Sequence, residues 1–332
     1  MNVLITGASG FIGGRLASYL LNNGVYKVRV TGRSQALVDQ FYGEHVECLI
    51  GDLSDVEFTD QLTKNIDVIV HCAGLAGTWG DYQDYYQANV LSTQLLVDSA
   101  IKNGVTRFIN ISSPSIYLNF EHQLDVKEDY LPAEFSNHYA RTKYEAEVLV
   151  QAAHSESFQT ISLRPRMVIG AGDNNIFPRL LNMQKQGLLK QVGDGQNIVS
   201  MTSIQNLLVL IEQCFDAPSQ AMGRAYNVSN AQPEKLWDVI DQLFVAMGMS
   251  TKRPSVPFKL AFTLARCNAF LKTLFRVKKE PGLLPVPVSV MGNSMTLNID
   301  EAKKKLHYQP METAHDSVEE FIGWWKAQSN RT

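Results

Sequence analysis

The sequence of 332 residues is poor in cysteine: it has four (Cys48, Cys72, Cys214 and Cys267), with no C-x-x-C pair among them. Thiols so far apart argue against a zinc site or a disulfide framework, and the expected compartment is the reducing cytoplasm. An excess of charge of either sign is also missing. Thirty Lys and Arg against thirty-three Asp and Glu leave a formal net charge of −3, so no bulk field draws the chain to nucleic acid. Long apolar runs are absent too. The greasiest stretch, Val256 to Phe275, is broken by Lys259, Arg266 and Lys272, whereas a transmembrane helix needs about 20 mainly apolar residues. Neither an H-E-x-x-H cluster nor a G-x-S-x-G elbow occurs, so no metal site and no serine hydrolase is expected. Strand-like character begins at Asn2, and no leader peptide is expected ahead of it.

What is present is alternation. Asn2–Thr6, Lys27–Thr31, Val46–Ile50, Asp67–His71, Arg107–Ser112 and Thr160–Arg164 are short apolar, β-rich runs. Helix-like segments lie between them, notably Asp84–Asn103 and Asn137–Ala153, and Gly24 is placed to end the helix that follows the first run. Strands separated by helices predict a doubly wound parallel sheet covered on both faces. Ten of the twelve prolines fall from Pro165 onward, marking a loop-rich second half. Tyr226–Ser229 reads as one more strand returning to the sheet. The expected division is a dinucleotide-binding region over 1–170, with a returning segment near 196–230, and a mainly substrate-binding region over 171–332.

Gly7-x-x-Gly10-x-x-Gly13 follows the first strand and opens a helix. Glycines let a backbone turn tightly and approach a pyrophosphate, and the helix N-terminus supplies N–H groups and a positive dipole. At the end of the second strand stands Thr31-Gly32-Arg33-Ser34, with no carboxylate to hold a ribose 2′-hydroxyl. An arginine there suits a 2′-phosphate, which favours NADP over NAD. Tyr139 and Lys143 are four residues apart, on one helical face. A free phenol has a pKa of about 10, and a nearby ammonium is expected to lower it toward useful proton transfer. Ser113, 26 residues earlier, ends a strand of the same sheet and is suited to hydrogen-bonding a reacting oxygen. Ser112 and Ser115 are the alternatives to it.

These motifs resemble the extended short-chain dehydrogenases/reductases, the NAD-dependent epimerase/dehydratase superfamily. The run TGASGFIGG resembles that family's cofactor turn, which implies cofactor contacts from Gly7, Gly10, Phe11, Ile12 and Gly13. Asp52-Leu53 resembles the adenine-contacting pair, and the segment around Ala73 the one that runs beneath the cofactor. His71 is expected to be a buried structural histidine. The resemblance implies a catalytic set of Ser113, Tyr139 and Lys143, with Asn89 supporting the lysine and Lys143 also holding the nicotinamide ribose. The fold it implies is a Rossmann-type doubly wound α/β sheet with a smaller, mostly C-terminal substrate region, in a homodimer. Pro114-Ser115 stands where dehydratases need an acidic pair, and the 193–200 loop lacks the arginine typical of sugar-nucleotide epimerases. Ala73–Gly80, Ser112–Ser115 and Leu163–Asp173 resemble instead the 3-beta-hydroxysteroid dehydrogenase branch, with its 2-alkyl-3-oxoalkanoate reductases and sterol 4-carboxylate 3-dehydrogenases.

The reaction so implied is interconversion of a secondary alcohol and a ketone on a hydrophobic small molecule, steroid-like or 3-oxoacyl-like. A sugar-nucleotide epimerase with tightly bound NAD is the alternative, and a non-catalytic nucleotide sensor a third reading. Trp79, Tyr82, Ser115 and Asn197 are substrate candidates. The aromatics before Asn89 either line an apolar pocket or pack a loop onto its own domain. The segment 257–275 is expected to bury its apolar face in the second half, with substrate capping or peripheral membrane contact as the alternatives.

Overall fold

Seven short apolar runs form one parallel sheet in the computed structural model, which describes residues 1–41, 45–275, 277 and 279–329. They are β1 (Asn2–Thr6), β2 (Lys27–Gly32), β3 (Val46–Ile50), β4 (Val68–His71), β5 (Arg107–Ile111), β6 (Gln159–Pro165) and β7 (Arg224–Val228). Across the sheet the order is β7-β6-β5-β4-β1-β2-β3, and every neighbouring pair is parallel. The helices used below are α1 (Phe11–Asn23), α2 (Ser92–Lys102), α3 (His138–Ala152), α4 (Phe258–Leu274) and α5 (Pro285–Gly292).

Side chains alternate along a strand, and β1 shows what that does here. Val3 and Ile5 join Leu16 and Leu20 of α1 in one core cluster. Leu4, between them, joins Leu96 and Val97 of α2 in another. A sheet buried on both faces needs continuous apolar strands, which is why these runs do not alternate in polarity. Gly24 ends α1 at φ 65°, its N–H bonding to the Leu21 carbonyl at 3.1 Å, the left-handed geometry that glycine adopts without strain. The strand order reverses between β1 and β4. In such sheets ligands bind in the crevice outside the carboxyl ends of the strands at that reversal, which is where the glycine turn and the 72–74 segment emerge.

The segment expected as one helix over 84–103 is built in three pieces: a short helix at Tyr82–Tyr85, a π-helical turn at Tyr86–Leu91, and α2. Beyond the main sheet, a third apolar cluster gathers Phe177, Trp237, Leu243 and Phe321. A four-stranded sheet there joins Glu234–Lys235, Ile198–Val199, Met295–Leu297 and Gln123–Val126. No helix of the described residues is long and apolar enough to cross a membrane.

The expectation for 257–275 holds for one face of the helix and not for the other. In α4 only Ala261 and Ala265 are buried, while Leu260, Leu264, Phe270, Leu271, Leu274 and, just beyond, Phe275 stand exposed. The inner face meets the protein through Ala261, Ala265 and the half-buried Phe258 and Phe262, which pack with Val192, Val288 and Phe120, and a second set of apolar residues is left facing outward.

Candidate active site

The glycine turn is tight because backbone fills the space that side chains would need. Gly7 lies at φ +68°, and a Cβ there would sit 2.7 Å from the Ala73 nitrogen; one on Gly13 would sit 2.5 Å from the Gly7 carbonyl oxygen. Gly10 is the N-cap of α1 and offers no side-chain cap, so the first-turn N–H groups remain available to an anion. Phe11 and Ile12 open α1, half-buried. At the far end of this crevice Arg33 is exposed just after β2. Asp52 accepts from the Ser54 N–H at 2.8 Å and its hydroxyl at 2.7 Å. Those bonds, with help from Arg33, hold its carboxyl below the usual range. Leu53 is buried in the core beside it.

The other end of the crevice carries the three candidate catalytic groups. Ser113 caps a 3₁₀ turn, Pro114–Tyr117, its hydroxyl accepting from the Ser115 N–H at 3.2 Å. It lies beside Tyr139, at the start of α3, close enough to favour the ionised phenol; the Asn137 side chain caps that helix through the Ala140 N–H at 2.8 Å. Lys143, one turn along, is buried and donates from Nζ to the Ile111 carbonyl at 2.7 Å, at the end of β5. Burial pushes its pKa down to about 8, against the raising influence of Glu147. Tyr139 departs from expectation. Burial pushes its phenol up, opposed by the Ser113 hydroxyl, because a desolvated phenolate costs more than that neighbour returns. The group is held protonated at neutral pH.

Asn89 is buried within the π-helical turn and reaches the neighbour of the lysine rather than the lysine. Its Nδ2 donates to Thr142 Oγ1 at 3.0 Å, and its Oδ1 accepts from the Leu75 N–H at 2.7 Å. Its carbonyl accepts from Thr93 Oγ1 at 2.6 Å, and that hydroxyl meets His71 Nε2 at 3.0 Å. His71 is fully enclosed, with Thr6 at its other nitrogen at 2.8 Å. This is the structural histidine expected.

Tyr139 forms part of the wall of a cavity of about 1130 Å³, with Trp79, Tyr85, Phe135, Leu284 and Val286. Asp81, Asp84, Glu134, Arg141 and Lys272 also line it, so the space is large enough for a sizeable ligand and offers it both an aromatic and aliphatic wall and a charged one. Trp79 is fixed by its Nε1 donating to the Val277 carbonyl at 3.0 Å, and Thr78 by a bond to Glu280 at 2.8 Å. Tyr82 does not line the cavity. Its hydroxyl donates to Glu145 at 2.9 Å and Arg141 stacks on its ring; Tyr85 takes the lining place instead. The Ser115 hydroxyl is enclosed without a partner. Asn197 lies apart, buried in the second half with its Nδ2 3.4 Å from the Asn293 carbonyl.

The sequence profile of the 3-beta hydroxysteroid dehydrogenase/isomerase family matches residues 4–260. The chain belongs to this family. A 2-alkyl-3-oxoalkanoate reductase of Stenotrophomonas maltophilia (strain K279a) is 32% identical to it over 335 residues, covering 99% of each chain. The sterol-4-alpha-carboxylate 3-dehydrogenase, decarboxylating, of Mus musculus is 24% identical, covering 96% of this chain and 89% of that one. Among solved structures, the UDP-glucuronic acid 4-epimerase of Bacillus cereus, in complex with UDP-glucuronic acid and NAD, superposes with a TM-score of 0.77 at 24% identity, covering 99% and 100%. At that identity the likeness shows the Rossmann-type fold alone.

Within this hydroxysteroid dehydrogenase-family scaffold, one residue escaped the sequence reading. Arg166 follows the last residue of β6 and is 6% exposed. Its Nε has no hydrogen-bond partner. Burial lowers its pKa to about 10, with no carboxylate among the described residues opposing that shift. Its neighbour Arg164 is the contrast: it pairs with Glu147 of α3 and donates to the Glu128 carbonyl at 2.8 Å. Sequence offers two arginines around a proline; only the fold says which one is paired.

Proposed function

We propose that the protein is an NADP-preferring oxidoreductase that interconverts a ketone and a secondary alcohol on a hydrophobic substrate. The observation that carries this reading is Ser113 set beside Tyr139, with Lys143 buried one turn behind it, at the wall of a large cavity part of whose lining is Trp79, Tyr85, Phe135, Leu284 and Val286. The glycine turn fits a dinucleotide, since its close approach to Ala73 and the uncapped start of α1 leave room for pyrophosphate and nothing bulkier than glycine in the chain. When bound, the nicotinamide supplies the hydride.

The chain's own residues do the rest. Ser113 orients the carbonyl oxygen by hydrogen bonding. Tyr139, kept protonated by burial, donates its proton to that oxygen as negative charge develops on it. Lys143 is held beside Ile111 at the end of β5, where its charge and N–H groups face the same crevice. Arg33 receives the 2′-phosphate at the other end. Both sequence relatives described above are named for substrates bearing a carboxylate close to the oxygen-bearing carbon, and Arg166, a buried cation at the crevice end of β6 whose Nε has no hydrogen-bond partner among the described residues, is suited to receive one.

Two measurements test the reading. Tyr139→Phe should abolish NADPH-dependent reduction of an apolar ketone, a fall of at least about a hundredfold for losing a general acid, while NADPH affinity stays within a factor of two or so. Wild-type turnover in that variant would refute the assignment. NADPH should also bind more tightly than NADH, and Arg33→Gln should erase the difference. The epimerase reading rests on the shared fold, and it predicts NAD retained through purification together with activity on a nucleotide sugar.

A further inference from the structure

On α4, Leu260, Leu264, Cys267, Leu271 and Leu274 recur at spacings of four, three, four and three residues, which places them in one line along the helix. All five are exposed. Phe270 and Phe275 flank the line at 68% and 73% exposure. A contiguous apolar strip of this kind on a chain surface marks a docking site. The family profile stops at residue 260, so this helix lies almost wholly outside the part of the chain shared with that profile.

Charge decides what the strip faces. Over 257–280 the sequence has six Lys or Arg and one Glu, two of the cations lying outside the described residues. Within α4 itself there is no acidic residue; Lys259 and Arg266 are exposed beside the strip, and Lys272 is partly covered. A second copy of the helix would bring like charges together, whereas helix pairing through such a seam uses opposite charges at its flanks. An apolar line bordered by cations alone matches the surface of an anionic bilayer, where apolar side chains enter the acyl boundary and lysine and arginine reach back to headgroups.

We propose that α4 lies on an anionic lipid surface through the strip Leu260–Leu264–Leu271–Leu274. The inner face of the same helix explains what this achieves. Ala269, Lys272 and Thr273 line the cavity that Tyr139 also lines. The cavity mouth therefore stands beside the lipid, and an apolar substrate passes from bilayer to site along the helix without crossing water. The docking is independent of the proposed reaction; only this delivery role rests on it.

The test is flotation of the full-length protein with vesicles of phosphatidylcholine plus phosphatidylglycerol, against vesicles of phosphatidylcholine alone. Co-flotation with the anionic vesicles, weakened by salt, is expected. Leu264→Glu/Leu271→Glu should abolish it while leaving the thermal melt unchanged, since both side chains already face solvent. Lys259→Gln/Arg266→Gln should weaken it about fivefold per cation removed, the effect of about 1 kcal/mol each near an anionic surface. Failure to float, or equal flotation with both vesicle types, overturns the proposal. So does self-association in sedimentation velocity that the double glutamate variant abolishes, which would make a second copy the occupant. Because flotation needs no turnover, its outcome is separable from that of the Tyr139 test.

Discussion

Arg166 sets a cation into the protein that no carboxylate of the described residues meets, and that has two separable consequences. An unpaired buried charge is a net cost to folding, since desolvation is not offset by a partner. Arg166→Met keeps much of the apolar stem and removes the charge, so it should raise stability by about 1–3 kcal/mol, read as an upward shift of the thermal midpoint. The same variant should raise KM for an apolar oxo acid at least tenfold and leave KM for the matching neutral ketone near the wild-type value. A destabilised variant would show that Arg166 is satisfied within the fold and would remove it from the site. Ser113, Tyr139 and Lys143 were legible in the sequence because their relation is local: a strand end, and two positions on one helical face. Arg166 was not, because lacking a partner is a property of the fold around a residue and no spacing encodes it.

Elements are tied together at this site by a polar bond through the core. Arg164 of β6 and Glu147 of α3 are 4% and 1% exposed at their side chains. Arg164 Nε donates to Glu147 at 2.9 Å, and the same guanidinium reaches the hydroxyl of Tyr117, the last residue of the serine turn. The Tyr117 hydroxyl in turn donates to Asn227 of β7 at 2.8 Å. This cross-link fixes α3, and with it Tyr139 and Lys143, against the strand ends. Glu147→Ala leaves Arg164 buried and unpaired, and should cost about 3–5 kcal/mol in urea unfolding. A loss below about 1 kcal/mol would reduce the pair to the worth of a surface salt bridge. At this scale the sequence told strands and long helices well, because apolar runs and the i, i+4 pattern are strong signals. The two-residue strands of the small sheet are too short to carry any period. The π-helical turn around Asn89 was read as ordinary helix because one inserted residue leaves the apolar pattern almost intact. The outward strip of α4 escaped notice for a different reason: the helix is apolar on two sides, and composition alone does not say that only one of them, with Phe258, Ala261, Phe262 and Ala265, is covered.

The molecule as a whole couples its stability to pH through two buried bases in the same crevice. Burial, helped by the Lys143 charge, pushes His71 from an ordinary 6.5 down to about 3, and burial pushes Lys143 from 10.5 down to about 8. Both shifts have one sign. Between the folded and unfolded pKa of each base the unfolded chain binds the extra proton, so stability rises with pH across that interval. For Lys143 the rise runs from about pH 8 to 10.5; for His71 from about 3 to 6.5. At 1.36 kcal/mol per pH unit, the His71 interval amounts to roughly 5 kcal/mol, comparable with the whole stability of an ordinary domain. Acidification should therefore begin to lower stability below about pH 6.5, ahead of the range in which most carboxyl groups take up protons, with the loss growing down to about pH 3. His71→Gln keeps hydrogen-bonding capacity toward Thr6 and Thr93 but has nothing to titrate. Urea unfolding at intervals from pH 7 to pH 4 should give a wild-type profile that falls through this range and a variant profile that is flatter by up to one proton. Parallel profiles would mean that His71 takes up its proton while folded, which its enclosure between the two threonines and the lysine charge opposes. The same enclosure keeps Asn89, Thr142 and Lys143 in register, so the pH at which His71 is forced open is also the pH at which the lysine should leave Ile111.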